Sequence, residues 1–346
     1  MNPKFSSAIL QWFSTHRRPL PWRDTQDPYA IWLSEVILQQ TRIQQGQAYW
    51  ERFIRRWPDV QCLAAATEDE ILREWQGLGY YSRARNLHAA VRQVVEMGRF
   101  PTTFDELRQL KGVGDYTAAA IASIAFGQPV AVVDGNEYRV LSRFFGIDTP
   151  INTTEGKKLF ARLAQDLIPA SRPSDFNQAM MDFGALQCVP QSPECSNCPL
   201  AEACDAFHTR RTGTLPVKLR KRNIRTRYFV YYYVRLFQDG HVLTAFRRRP
   251  AGDIWQGLWE PPMYERPIQS PSFPGTVTLI RHEVKHVLTH QVIYANFYLV
   301  ELSEKPASLD DYKWIPEEEL NQYGLPRLVE LLVESLPEKT KTTDES

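Results

Sequence analysis

The sequence of 346 residues contains no apolar run long enough to cross a bilayer as a helix. Its first residues, Met1-Asn2-Pro3-Lys4-Phe5, lack the basic-then-apolar layout of a signal peptide. We therefore expect a cytoplasmic protein of the bacterial type with no membrane partner. The formal net charge is only +1, so overall charge neither supports nor excludes a nucleic-acid partner, and any basic surface has to be local.

Cysteine is also scarce, with five residues, but four of them are clustered. They follow the spacing C-x6-C-x2-C-x5-C and are Cys188, Cys195, Cys198 and Cys204. Thiols stay reduced in the cytoplasm, so the cluster indicates a metal site rather than disulfides. Four thiolates can hold one tetrahedral ion or one cubane cluster, and the spacing alone leaves zinc and iron–sulfur both open. Four buried free cysteines are the weaker alternative, and the isolated Cys62 is interpreted as helix packing.

Helix signals dominate residues 1–209. Asp27-Pro28 places a capping acceptor before a proline suited to the first helical turn. Thr67 with Glu70, and Thr103 with Glu106, have the spacing of capping boxes. We therefore predict a mainly α N-terminal domain over 1–209.

A basic connector is predicted over 210–226, because the chain from Arg210 to Arg227 carries basic residues and no acidic one. It is either a solvated linker or a segment lying along a phosphate backbone. The following residues, 227–338, are predicted to form an α+β domain, with strands over 228–237, 277–284 and 292–300 and a closing helix over 326–336. The polar tail 339–346 is expected to be disordered.

Two carboxylates have the surroundings needed to cut a nucleoside's C–N bond, which requires one acid for the leaving base and one anion for the sugar cation. Glu35 lies among apolar neighbours, which tend to raise a carboxyl pKa and keep it protonated. Asp134 lies where an apolar segment meets a turn and a helix start, which favours the ionised form. The structural alternatives are a buried acid at Glu35 and a helix cap at Asp134.

A short glycine turn precedes a helix rich in small residues. Gly112, Val113 and Gly114 allow backbone N–H groups to point outward at a helix N-terminus, where they can bind phosphate. A plain turn between two helices is the alternative interpretation.

These motifs together resemble the helix–hairpin–helix DNA glycosylase superfamily, and most closely its MutY-type adenine glycosylases, over nearly the whole chain. The resemblance implies a helix–hairpin–helix glycosylase fold whose loop at 188–204 binds a [4Fe–4S] cluster through the four cysteines. It implies that Glu35 protonates adenine at N7 and that Asp134 stabilises or briefly attacks the oxocarbenium ion. Tyr116 stands where endonuclease III has a Schiff-base lysine, so we expect a monofunctional enzyme, and Asn136 is expected to position the sugar-phosphate or the water.

The same resemblance assigns residues that reach and hold the extruded base. Gln40 would be the wedge beside the mispair, and Tyr80 would stack next to the damaged guanine; the alternatives are a polar helix end and a packed aromatic turn. Trp22, Arg23 and Gln178 match positions that line the family's adenine pocket.

The second domain resembles a Nudix fold around residues 257–262, but it lacks the Glu-rich helix that binds magnesium in Nudix hydrolases. In MutY-type proteins this domain recognises 8-oxoguanine, partly through a Phe-Ser-His loop. This chain has Leu288, Thr289 and His290 there, so the hydroxyl and the imidazole are retained while the aromatic is lost. A surface histidine without a role is the alternative.

The sequence therefore predicts a base excision repair enzyme that acts as a monomer on double-stranded DNA. Its substrate would be adenine opposite 8-oxoguanine or guanine, and its product an abasic site. The rival hypotheses are a bifunctional glycosylase/lyase of the endonuclease III type and a non-catalytic DNA-damage binding protein. A Nudix hydrolase with a helical appendage lacks its metal ligands.

Overall fold

Helices make up the regular structure of the chain as far as His208, and strands begin at Arg225, in the computed structural model. The structure describes residues 3–219, 224–266 and 273–337. Part of the predicted connector, residues 220–223, and the predicted tail 339–346 lie outside the described residues. Two compact units form, one from 1–65 and 86–221 and the other from 66–85 and 222–346. The predicted domain limits at 209, 226 and 338 stay predictions.

The helices before the sheet are numbered in chain order. They are α1 (Pro3–His16), α2 (Pro28–Leu38), α3 (Ile43–Arg56), α4 (Val60–Ala65), α5 (Glu68–Glu74), α6 (Ser82–Glu96), α7 (Phe104–Leu107), α8 (Asp115–Ile124), α9 (Gly135–Phe145), α10 (Thr154–Leu167), α11 (Pro173–Leu186) and α12 (Asp205–His208).

The predicted caps begin the helices where the sequence placed them. The Asp27 side chain accepts the Tyr29 N–H, and Pro28 occupies the first turn of α2. Thr67 and Thr103 each form a complete capping box, at the starts of α5 and α7. Both predicted boxes are confirmed, so local side-chain chemistry fixes where these helices start.

The first unit packs α1, α9, α10 and α11 around an apolar core. Phe5, Phe160 and Phe183 are almost completely buried in it. Three of the clustered cysteines, Cys188, Cys198 and Cys204, pack against the same core. The core therefore anchors the cysteine loop to the helices that carry the site.

The strands of the second unit form one mixed sheet in the described part of the chain. They are β1 (Arg225–Gln238), β2 (His241–Arg248), β3 (Trp259–Glu260), β4 (Met263–Glu265), β5 (Thr276–Val287), β6 (Gln291–Leu302) and β7 (Lys313–Pro316). The order is β3-β2-β1-β6-β5, with β4 paired to β1 and β7 paired to β2. β1 and β6 run parallel over a long register, and the other pairs are antiparallel.

Helix α13 (Arg327–Glu334) packs its buried side chains, including Leu328 and Leu332, against one face of this sheet. The three predicted strands and the closing helix are thus confirmed as β1, β5, β6 and α13. The strands β2, β4 and β7 were not predicted, whereas β3 lies within the stretch 257–262 that resembles a Nudix fold.

Segment 66–85 belongs to the second unit through polar contacts with its strands. Asp69 accepts hydrogen bonds from Arg248 at 2.7 Å and from the Trp259 indole at 3.1 Å. Sequence separation hides this grouping, because the segment lies far from the strands along the chain.

Arg227, the last residue of the basic stretch and the first of the predicted α+β domain, is buried. Arg227 lies in β1, is 5% exposed, and donates to Asp253 at 2.7 Å and to Glu265 at 2.6 Å. The hydrogen bond from Arg227 lowers the pKa of Glu265. Arg227 therefore belongs to the interior of the second unit, where its charge is neutralised.

In the described ranges no helix is long and apolar enough to cross a membrane.

Candidate active site

A cavity of about 190 Å³ in the first unit brings together residues from distant parts of the chain. Seven residues predicted from the sequence line it: Trp22, Arg23, Glu35, Tyr116, Asp134, Asn136 and Gln178. They come from a 3₁₀ turn at Pro21–Arg23, from α2, α8 and α11, and from the start of α9. The two predicted carboxylates therefore open on the same space.

Glu35 is the buried acid of this cavity. It lies on α2, whose residues from Tyr29 to Ile37 are all buried, and it is only 8% exposed. Burial raises the pKa of Glu35 to about 7, and the nearby charge of Asp134 also raises it. A hydrogen bond with the Tyr116 side chain and the charge of Arg23 act in the opposite direction. Glu35 can therefore hold a proton near neutral pH and still release it.

Asp134 is the N-cap of α9, which was its structural alternative, and it also lines the cavity, as its predicted catalytic role requires. Its side chain accepts the backbone N–H of Asn136 and, at 3.0 Å, that of Glu137. The side-chain amide of Asn136 adds a third bond at 2.9 Å. Three N–H donors therefore converge on this carboxyl group at the N-terminal end of α9.

Asn136 connects this carboxylate to the cysteine loop. Its amide oxygen accepts from Arg139 Nη2 at 2.8 Å, and Arg139 Nε donates to the Cys188 carbonyl at 2.7 Å. The backbone of α11 also approaches Asn136 closely at Gly184, where an added Cβ would lie 2.5 Å from the Asn136 Cβ. Only glycine fits at 184 without moving Asn136.

A buried ion cluster holds the cationic side of the cavity, and sequence analysis missed two of its members. Asp182 is completely buried and accepts from Arg23 at 2.7 Å and from Arg18, which also lines the cavity. Asp182 follows Gln178 by one turn of α11, so helical spacing could have indicated it. These bonds orient Arg23 toward the cavity while neutralising part of its charge.

Gln178 offers the cavity an unused acceptor. It is 6% exposed, and its amide nitrogen donates to Ser174 at 3.0 Å. Its Oε1 atom is buried without a hydrogen-bond partner among the described residues. Since an orphaned buried oxygen is costly, this atom is suited to accept a hydrogen bond from a bound ligand.

The predicted hairpin and wedge lie outside the cavity lining. Gly112 has φ +74°, and Gly114 caps α8 with extended backbone, so the two glycines form the expected turn before a helix. Val113 is buried beneath them. Gln40 is exposed just after α2, with a left-handed backbone at φ +59°. Its side chain is therefore accessible to solvent and does not pack in the apolar core.

The remaining predicted contacts line a different cavity, which belongs to the second unit. Tyr80, Thr289 and His290 all line it, and the Tyr80 hydroxyl is hydrogen-bonded to the Thr289 hydroxyl. Tyr80 has φ +47° and is 43% exposed, so its ring is accessible. Leu288, which replaces the family's aromatic, packs against the core of the sheet.

The four clustered cysteines line one cavity of the first unit. Arg143 Nη1 donates to Cys188 Sγ at 3.4 Å. Burial, with a smaller contribution from the neighbouring cysteines, raises the pKa of Cys198 to about 11. Within the described ranges no three His, Cys, Asp or Glu side chains form a group that could hold a single metal ion. Cys62 is exposed on α4, so its interpretation as helix packing is wrong.

Two family models match this chain. One, described as HhH-GPD superfamily base excision DNA repair protein, matches residues 33–169 and includes Glu35 and Asp134. The other, described as NUDIX domain, matches residues 231–335. A solved thermostable thymine-DNA glycosylase has a TM-score of 0.56 at 33% identity and covers 59% of this chain and 95% of that one. The predicted fold class, a helix–hairpin–helix helical domain followed by a Nudix-like α+β domain, is confirmed.

Curated relatives cover more of the chain. An adenine DNA glycosylase of Buchnera aphidicola subsp. Baizongia pistaciae is 33% identical over 301 residues, 84% of this chain and 84% of that protein. The mouse adenine DNA glycosylase is 45% identical over 222 residues, which are 61% of this chain and 43% of the relative. The chain thus spans less than half the length of that mammalian relative.

The burial of Glu35 predicts a stability effect that needs no substrate. Between about pH 4.5 and 7 the folded protein retains the Glu35 proton and the unfolded chain loses it, so stability falls as the pH rises through this window. Gln cannot ionise, so the free energy of unfolding of Glu35→Gln should exceed that of the wild type by up to about 3 kcal/mol at pH 8. This difference should shrink toward pH 4.

Urea unfolding at several pH values measures this difference. Glu51→Gln, at an exposed position on α3, is the control and should be neutral throughout. If Glu35→Gln were as stable as the wild type at every pH, the pKa of Glu35 would not be raised in the folded protein.

Proposed function

This chain belongs to the adenine DNA glycosylase family, and on that premise we propose that it hydrolyses the bond between adenine and deoxyribose in double-stranded DNA. The observation that carries the proposal is that Glu35 and Asp134 line one cavity. Such a reaction needs a proton donor on the leaving base and an anion facing the sugar, and both groups must reach the same nucleoside. An acid and a multiply hydrogen-bonded carboxylate in one cavity meet this requirement.

Each group has a defined task in the proposed reaction. Glu35 delivers its proton to adenine N7, so the base leaves as a neutral molecule. The Asp134 anion faces the positive charge that develops on the sugar, either by electrostatics or by a short-lived bond, before water completes the hydrolysis. Asn136 fixes the Asp134 carboxylate through its side-chain amide. Trp22, Arg23 and Gln178 surround the base.

Tyr116 makes this a monofunctional reaction. Its hydroxyl donates to Met181 Sδ at 3.7 Å in the cavity that Glu35 also lines, and a phenol, unlike an amine, cannot form a Schiff base with the sugar. The product is therefore an abasic site in an intact strand. A covalent complex trapped with borohydride would instead support the lyase alternative.

The adenine must leave the helix to enter the cavity, so the protein has to hold an extruded nucleotide. In the proposed complex the turn at 112–114 binds phosphate through its backbone N–H groups. Gln40 fills the gap in the duplex, and its exposed position is compatible with that role.

Substituting either carboxylate tests the proposal. Glu35→Gln and Asp134→Asn should each lower the single-turnover rate of adenine release at least about 100-fold, since general-acid and charge-stabilising groups contribute this much. The single-turnover rate of the wild type should also fall as the pH rises through about 7, where Glu35 loses its proton. Alkali-labile sites in a duplex with A opposite 8-oxoguanine provide the assay.

Glu51→Gln is again the matched control and should cleave like the wild type. Binding of the duplex without any base release by the wild-type chain would favour the non-catalytic DNA-damage binding protein.

We further propose that the second unit recognises the base opposite the adenine, with preference for 8-oxoguanine over guanine. Tyr80, Thr289 and His290 line one cavity there and combine an accessible aromatic ring with two polar side chains. An aromatic ring can stack on a base for about 1–3 kcal/mol, and a hydroxyl can distinguish the altered edge of 8-oxoguanine. The Tyr80–Thr289 hydrogen bond orients both groups.

Thr289→Val removes this hydroxyl with little change of shape. We expect the rate ratio between A:8-oxoguanine and A:G duplexes to fall about tenfold, the cost of one hydrogen bond to a discriminating group. Single-turnover assays with both duplexes measure the ratio, and Thr278→Val on exposed β5 is the control. If the ratio were unchanged in Thr289→Val, the Thr289 hydroxyl would play no part in lesion recognition.

We propose that Cys188, Cys195, Cys198 and Cys204 hold a [4Fe–4S] cluster. Four thiols on one cavity are the donor set of such clusters, and adjacent Arg143 would offset their negative charge as thiolates. When bound, the cluster supplies a rigid, redox-capable centre. The chain's own contribution is to fix the loop beside α9 through the Arg139 bond to the Cys188 carbonyl.

Colour tests this proposal directly. Protein purified without oxygen should be yellow-brown with broad visible absorption, and Cys198→Ser should lose most of it, because a serine hydroxyl is a far weaker iron ligand than a thiolate. Cys62→Ser, at an exposed cysteine outside the loop, should keep the full absorption. A colourless wild-type protein containing zinc would overturn the cluster.

A further inference from the structure

A second buried acid stands directly behind Asp134. The Asp134 N–H donates to Glu137 Oε2 at 2.9 Å, and the Glu137 N–H donates to Asp134 Oδ1 at 3.0 Å. Glu137 is only 1% exposed, and these two reciprocal bonds hold its carboxyl beside that of Asp134. Neither the sequence motifs nor the proposed reaction use this residue.

The pair differs from the other capping boxes of this chain. In α5 and α7 the partner of the glutamate is a threonine, so capping requires only one acid. The glutamate of α7, Glu106, is partly exposed, and its bonds with Arg99 and the backbone lower its pKa to about 2. At α9 both partners are carboxyls, and burial followed by the charge of Asp134 raises the pKa of Glu137 well above its ordinary value.

The geometry assigns the proton of this pair to Glu137. Two adjacent anions in a buried site repel strongly, so burial of this pair favours a proton on one of the two carboxyls. Asp134 receives three N–H donors, whereas Glu137 receives one on Oε2, and its Oε1 is buried without a hydrogen-bond partner in the described structure. The negative charge is therefore stabilised on Asp134.

We propose that Glu137 is a positioning residue for Asp134, whose neutral carboxyl group accepts the Asp134 N–H and donates a hydrogen bond to the Asp134 carboxylate. Resting on the proposed function, the inference adds a fourth donor to the anion that faces the sugar cation. Glu137 fixes the orientation of this anion and keeps a second negative charge out of the cavity. Glu35 thereby remains the only acid whose proton is exchanged during the reaction.

A glutamine at 137 reproduces a neutral acid, because its oxygen can accept the Asp134 N–H and its amide can donate to the carboxylate. Glu137→Gln should therefore retain the single-turnover rate within about threefold, whereas Glu137→Leu should slow it about tenfold with unchanged duplex affinity. Glu106→Gln, in the exposed box of α7, is the control. Circular dichroism and melting confirm that each variant is folded.

Infrared spectroscopy provides a readout independent of turnover. In the Glu35→Gln background, a deuterium-sensitive carbonyl band of a protonated carboxylic acid should persist at about pH 8 and disappear when Glu137→Gln is added. Its absence, a Leu variant as fast as the wild type, or a Gln variant as slow as the Leu variant would each overturn the inference. If the wild-type chain releases no adenine, the proposed function fails separately, and the infrared band alone decides the state of Glu137.

Discussion

The first unit keeps the Glu35 carboxyl away from water while leaving it on the wall of a cavity, and much of the surrounding structure follows from this arrangement. A carboxyl can be buried at moderate cost only when it holds its proton, and the apolar length of α2 imposes that condition. Tyr116 and Arg23 then limit how far the pKa rises, so that the proton can still be given up. The result is an acid poised by opposing influences.

The cations of the cavity are restrained in a comparable way. Arg18 and Arg23 are both bonded to the buried Asp182, which neutralises part of their charge, so Arg23 lowers the pKa of Glu35 without abolishing its rise. Such a cluster gives little net stability, since desolvation offsets most of the attraction between the charges. Its value lies in fixing the position of the two guanidinium groups. Asp182 therefore shapes the field of the cavity without lining it.

The sequence allowed the helix caps, the main strands and the residues of the cavity to be predicted, because these depend on short patterns or on a family resemblance. The capping roles of Asp27 and Thr103 can be recognised from the next four residues of the sequence. The burial of Arg227, the exposure of Cys62 and the pairing of Glu137 with Asp134 depend on tertiary packing. Short strands such as β3 and β4 carry too few residues for a pattern to develop.

The absence of a side chain can be as demanding as its presence. Gly184 contributes no group to the reaction, yet the space that its missing Cβ leaves is occupied by the Asn136 side chain. Any replacement at 184 would push on the residue that fixes the Asp134 carboxylate. A survey of all substitutions would therefore class this helical glycine with the reactive residues, although it carries nothing that could react.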